Sequence, residues 1–190
     1  MSRPSKREAA TAHHEAGHAV VGVVQRTGVT IVSIVPNHET GIVGHTKNRR
    51  LERTFLPEDG RDPRDVRRRL EPHILAAWAG VLAERKYDGR RHNWDGARID
   101  LEDIAEMVHF CVKGERQERK YGEFLRVEAE DLVAFVWPQV EAVTAALLSH
   151  RTLRRPAILE AMRGSALPGP RALVPARPDD DRIGTVQEER

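Results

Sequence analysis

Apolar positions recur every three or four residues along most of the chain, and that spacing predicts a mostly helical protein. The first helix is expected from about Ser5 to Thr27. Ser5 followed by Glu8 has capping-box spacing at its start, and Gly28 offers a stop. Val29 to Val35 (VTIVSIV) is rich in β-branched residues and closed by Pro36 and Asn37, which reads as a strand. Gly41 to Lys47 reads as a weaker second strand after a turn at Asn37 to Thr40, so a small antiparallel sheet is expected. Asp62 and Pro63 look like the cap and first residue of another helix; Pro72 either kinks it or leaves a fresh start at Glu71. Ile74, Leu75, Trp78, Val81 and Leu82 keep helical spacing as far as Asp88 and Gly89, and residues 89–98 form a polar loop. Leu101, Ile104, Ala105, Val108 and Cys111 or Val112 share a face of the next helix. Leu132, Val133, Val136, Val140, Val143, Leu147 and Leu148 mark a long helix bent at Pro138. Thr152 to Arg163 is a short last helix ended by Gly164.

This pattern predicts a mainly α fold with a small antiparallel β-sheet, in one domain over residues 1–164. The proline-rich, locally acidic stretch 165–190 reads as a disordered tail. Composition narrows the class: 39% hydrophobic and 32% charged residues describe a soluble globular chain, and only 5% aromatics implies a core of Ala, Val, Leu and Ile. The net charge of +2 calls for neither a nucleic acid nor an anionic membrane. The basic stretch Arg49 to Arg69 reads as a solvated loop and helix face. The longest apolar run near the N-terminus, Ala19 to Val24, falls short of a membrane span and of a signal peptide. A lone cysteine, Cys111, lies in an apolar helical pattern and reads as a small buried hydrophobe, which suits a cytoplasmic protein.

The chemistry-bearing motif is His14-Glu15-Ala16-Gly17-His18. Helical residues four apart stand one turn above each other, so both imidazoles project from one face toward a single ion. Glu15 leans over the same site, where it can take a proton from a metal-activated water. Gly17 leaves one side of the helix bare for close packing. Nine histidines make such spacing attainable by chance, so the surroundings matter. Ala16, Ala19, Val20, Val21, Val23 and Val24 make this helix one of the most apolar in the chain. Polar residues buried on it need partners, and a metal supplies them. A catalytic zinc takes three protein ligands and keeps one position open. Glu84 on a later helix and Asp100 at the mouth of another are both candidates for the third ligand; His45, Asp88, His92 and Asp95 are weaker ones. Spacing alone leaves the choice between Glu84 and Asp100 open.

TAHHEAGHAVVG at Thr11 to Gly22 resembles the motif helix in the peptidase domain of the FtsH family of ATP-dependent zinc proteases. The likeness continues in order through Ile34-Val35-Pro36, Gly44 to Thr46, AWAGVLAERKYDG at Ala77 to Gly89, DGARIDLEDIAEM at Asp95 to Met107, and ALLSHRTL at Ala146 to Leu153. It covers about residues 5–163. The resemblance implies zinc held by His14, His18 and Asp100, with Glu15 as the base and Glu84 as a residue that orients a ligand. It also implies a largely helical domain with a small sheet. Trp78 and Val81-Leu82 stand where the family has smaller residues, and Pro72 and Pro138 are unusual for it.

The expected function is therefore that of a zinc endopeptidase acting on flexible or unfolded polypeptides, with the substrate laid along an edge of the sheet that contains Val29 to Val35. The chain shows no Walker-type phosphate loop and no membrane span. Folded substrates would then need a separate ATPase or unfoldase, and the hexamer that the ATPase domain supports in the family is not implied. The alternative is a catalytically silent, metal-bound module that binds or regulates other proteins.

Overall fold

The computed structural model describes residues 4–36, 44–48, 62–89 and 97–165. In order these form α1 (Lys6–Val24), β1 (Val29–Ser33), β2 (His45–Asn48), α2 (Pro63–Asp88), α3 (Arg98–Cys111), α4 (Glu115–Phe135), α5 (Trp137–His150), β3 (Thr152–Arg154) and α6 (Arg155–Arg163). The expected mainly helical fold with a small antiparallel sheet is present. The expected tail beyond Ser165, the turn at Asn37 to Thr40 and most of the loop at 89–98 lie outside the described residues.

Helix α1 starts where its cap demands. The Ser5 side chain accepts from the Glu8 amide at 3.1 Å, satisfying one orphan donor of the first turn. The helix ends at Val24, before the expected Thr27, because Arg26 turns left-handed (φ 60°) and Gly28 follows at φ 82°. The Thr27 amide closes this turn on the Gly22 carbonyl at 2.9 Å. Helix α2 begins as read, with the Asp62 side chain accepting from the Arg64 amide. It runs through Pro72 without a fresh start at Glu71. Proline removes one rung of the ladder, but Val66, Leu70, Ile74 and Leu75 on both sides of it are buried, and their packing holds the helix together.

Two further expectations are corrected. The bend expected inside one helix at Pro138 is a break at Val136, and α4 and α5 meet at 72°. Pro138 sits in the first turn of α5, where its missing amide has no ladder partner to lose. The segment expected as a helix from Thr152 opens instead with β3, which makes the sheet three-stranded in the order β2-β1-β3, all antiparallel. Val32 pairs with Thr46 on one side and Leu153 on the other. On α3 the buried ridge is Ile104, Val108 and Cys111, while Ala105 faces solvent.

The core joins the Ala and Val face of α1 (Ala12, Ala16, Ala19, Val20) to α2, α5 and β1, with Val140, Val143 and Leu147 fully buried behind it. Among the described residues, no single helix is long and apolar enough to cross a membrane. Arg64 and Arg68 of the basic stretch are exposed, and Arg68 pairs with Asp65 on its own helix.

Candidate metal centre

His14 and His18 sit one turn apart on α1, their rings 4.6 Å apart and nearly perpendicular. Both are backed by α2, which can approach only because both helices lack side chains at the contact. A Cβ on Gly17 would lie 2.3 Å from the Ala79 carbonyl oxygen, and one on Gly80 would lie 2.3 Å from the His18 ring. This close approach brings two acceptors of α2 against the outer nitrogens. His18 Nδ1–H donates to the Ala76 carbonyl at 2.8 Å, and His14 Nδ1–H donates to Glu84 Oε2 at 2.9 Å. Asp100 comes from the first turn of α3, where the positive helix end favours a carboxylate. Its Oδ2 lies 3.0 Å from His14 Nε2 and its Oδ1 lies 3.3 Å from His18 Nε2.

These contacts determine what the centre can hold. A carbonyl only accepts, so His18 must carry its hydrogen on Nδ1, and the Glu84 carboxylate imposes the same tautomer on His14. When neutral, both rings therefore turn the lone pair of Nε2 inward, and those atoms stand 2.9 Å apart beside the Asp100 carboxylate. Once the proton that His14 carries is displaced, three electron-pair donors within 4.8 Å of one another form a cradle for a cation. Tetrahedral zinc bonds of about 2.0–2.1 Å place donors roughly 3.3–3.4 Å apart, so this set needs to open by only a few tenths of an ångström to fit zinc.

The electrostatics agree. Burial by itself lowers the affinity of His14 for a proton, but the hydrogen bonds to Asp100 and Glu84 outweigh it and push its pKa up to about 10. His18 is also buried, yet the charge of Asp100 raises its pKa. Burial disfavours the Asp100 carboxylate, but the two imidazoles beside it hold its pKa well below the usual carboxylate range. The histidine shifts reflect the negative charge of Asp100 and Glu15 gathered around the two rings.

Glu15 is buried next to this cluster, and its Oε2 accepts from Thr46 Oγ1 at 2.8 Å. The remaining expected candidates are His45, Asp88, His92 and Asp95. His45 is on β2 and is not among the grouped donors, Asp88 pairs with Lys6 at 2.5 Å, and His92 and Asp95 lie outside the described residues. His13, next to His14, donates from Nδ1 to the Ala9 carbonyl and stacks with Tyr87 and with Trp137. Sequence reasoning passed over Ala76, Gly80 and the role of Thr46. Gly80 left a signal: a glycine inside an apolar helix costs about 1 kcal/mol relative to alanine, which implies a close approach that only glycine permits. Ala76 acts through its main chain and leaves none.

No family model matches the chain. Among curated proteins it is similar to the ATP-dependent zinc metalloprotease FtsH of Haemophilus influenzae, with 30% identity over 132 residues. That stretch takes in 68% of this chain and 19% of the relative, so the chain spans about a fifth of the protein it matches. The similarity relates this chain to a region of FtsH and, at the coarse level of that name, to zinc metalloproteases.

Proposed function

We propose that this chain is a zinc-dependent endopeptidase whose metal is held by His14, His18 and Asp100 and whose general base is Glu15. What carries the reading is the convergence of the two inward-facing Nε2 atoms with Asp100, beside a buried carboxylate that takes no part in that triad. A structural site would have no use for Glu15. Similarity to a region of a zinc metalloprotease supports the same class.

Bound there, zinc would supply Lewis acidity toward a peptide carbonyl and would acidify water to a pKa of about 7. His14, His18 and Asp100 would leave a fourth position open. Glu84 and the Ala76 carbonyl keep both rings turned inward, so little reorganisation is needed on binding. Glu15 takes a proton from the attacking water as its oxygen bonds to the scissile carbon. It returns that proton to the amide nitrogen as the C–N bond breaks. β1 is flanked on both sides, so an extended substrate would add to the sheet along β2, whose Thr46 touches Glu15. The substrates are flexible or unfolded polypeptides in the cytoplasm, and a separate unfoldase would be required for folded ones.

Metal analysis of wild type and Glu15→Gln, with casein cleavage measured alongside, tests this reading. Both proteins should hold about one zinc per chain and only the wild type should cleave. Cleavage by Glu15→Gln would sink the mechanism.

A further inference from the structure

The base of the centre is gripped by a strand rather than by its own helix. Thr46 Oγ1 donates to Glu15 Oε2 at 2.8 Å and lies 3.3 Å from the Glu15 carbonyl oxygen, so one hydroxyl spans both the side chain and the main chain of that residue. Two residues earlier on the same segment, Gly44 abuts the other carboxylate oxygen. A Cβ at Gly44 would fall 2.6 Å from Oε1 and 2.8 Å from Cγ of Glu15. One oxygen is thus tethered, while the other rests where only a glycine leaves room. The segment cannot drift freely, because β2 is paired to β1 through Val32↔Thr46 and Ser33↔His45.

We propose that Gly44 and Thr46 form a clamp that sets the orientation of the Glu15 carboxylate, with Thr46 as a positioning residue for proton transfer. The role in proton transfer rests on the peptidase reading; the clamp itself does not. The chemistry follows from the division of labour between the two oxygens. Oε2 accepts from the Thr46 hydroxyl while Oε1 is backed by Gly44, which fixes the plane of the carboxylate and with it the direction from which a remaining lone pair can receive the proton of the attacking water. A glutamate has three rotatable side-chain bonds, and proton transfer requires hydrogen-bond reach, so a base without the clamp spends much of its time out of position. Misplacement of a catalytic group by about 1 Å can cost on the order of a hundredfold in rate. The clamp also ties the base to the strand along which a peptide would be laid, so base and substrate share one frame.

The test uses the whole chain labelled with carboxyl-¹³C glutamate, with zinc added, in wild type, Thr46→Val and Thr46→Ser. The Glu15 resonance is identified by its loss in Glu15→Gln. Thr46→Val keeps the shape and removes the donor; it should shift that resonance. It should also lower kcat on casein by about tenfold or more, with KM and zinc content within about twofold of wild type. Thr46→Ser should restore both. An unmoved resonance in Thr46→Val overturns the clamp, whether or not the protein cleaves anything. A moved resonance with unchanged kcat overturns the positioning role. A zinc-loaded wild type that cleaves nothing overturns the peptidase reading and the role in proton transfer with it, and the resonance alone then decides whether the clamp exists.

Discussion

His14 and His18 turn their Nε2 atoms toward each other at 2.9 Å, and each has its Nδ1 occupied from behind by an acceptor on α2. Two imidazoles fixed in that tautomer repel unless something positive lies between them. The pair is therefore incomplete as a pair, and its completion by a proton or by a metal underlies the expectations that follow.

Removing the third donor should cost more zinc affinity than removing an orienting partner. Asp100→Ala takes away a group that touches both Nε2 atoms, whereas Glu84→Gln leaves the cradle and only loosens the His14 ring. Glu84→Gln should weaken zinc by about 10- to 100-fold, and Asp100→Ala by more. Competition titrations with a chromophoric chelator read both. Glu84→Gln as the more damaging change would move the third ligand to Glu84.

Zinc uptake should release a proton. The metal-free His14 has its pKa raised to about 10, so it is protonated throughout the neutral range, and a metal must displace that proton. The sign follows: affinity rises with pH up to about 10 and falls about tenfold per unit as pH drops below it, for each proton displaced. Calorimetry at pH 7.5 in buffers of different ionisation heat counts the protons, and a count of zero would contradict the arrangement.

Gly80→Ala should damage both stability and the site. The added Cβ would lie 2.3 Å from His18 Nε2 and Cε1, so either the ring or the helix must move. Such overpacking costs about 1–3 kcal/mol. Gly122→Ala on α4 serves as the control: its Cβ meets only Val108 methyls at 3.9 Å, and alanine should stabilise that helix by about 0.5–1 kcal/mol. Thermal melts should move in opposite directions for the two variants.

Cys111 should be silent toward thiol reagents in the native protein. It is 1% exposed, and burial together with the nearby Glu71 charge pushes its thiol up to about 11. At pH 8 a chromogenic disulfide should react with it only as fast as the protein opens, and at full stoichiometry in denaturant. Rapid native labelling would place Cys111 at the surface.

What could be read in advance was whatever repeats or caps. The apolar spacing of α1, Asp62 before Pro63, and the i, i+4 histidines are local signals, and each led to the right element. The miss at Thr152 to Arg154 has a physical source. Three residues carry too little periodicity to mark a strand, and β3 exists because β1 has an edge to offer it. Likewise, Pro138 reads as a bend wherever it falls in a pattern, but whether it bends a helix or opens one depends on Val136. The motif alone singled out His14, Glu15 and His18, and the fold brings His14 and His18 together beside Asp100. Between Glu84 and Asp100, spacing was mute, since both lie far along the chain; the resemblance pointed to Asp100, and the approach of α3 brings that carboxylate to Nε2 while Glu84 meets Nδ1.

His14 and Asp100 meet across 86 positions of sequence. An ion bridging them would tie the first helix to the third, and because the unfolded chain would release it, the ion would stabilise the folded form by mass action. Free zinc at a thousand times its dissociation constant would contribute about 4 kcal/mol in this way. Chelation would then act as the cutting of a staple, and the melting temperature of this small domain would record its metal as faithfully as any catalytic assay.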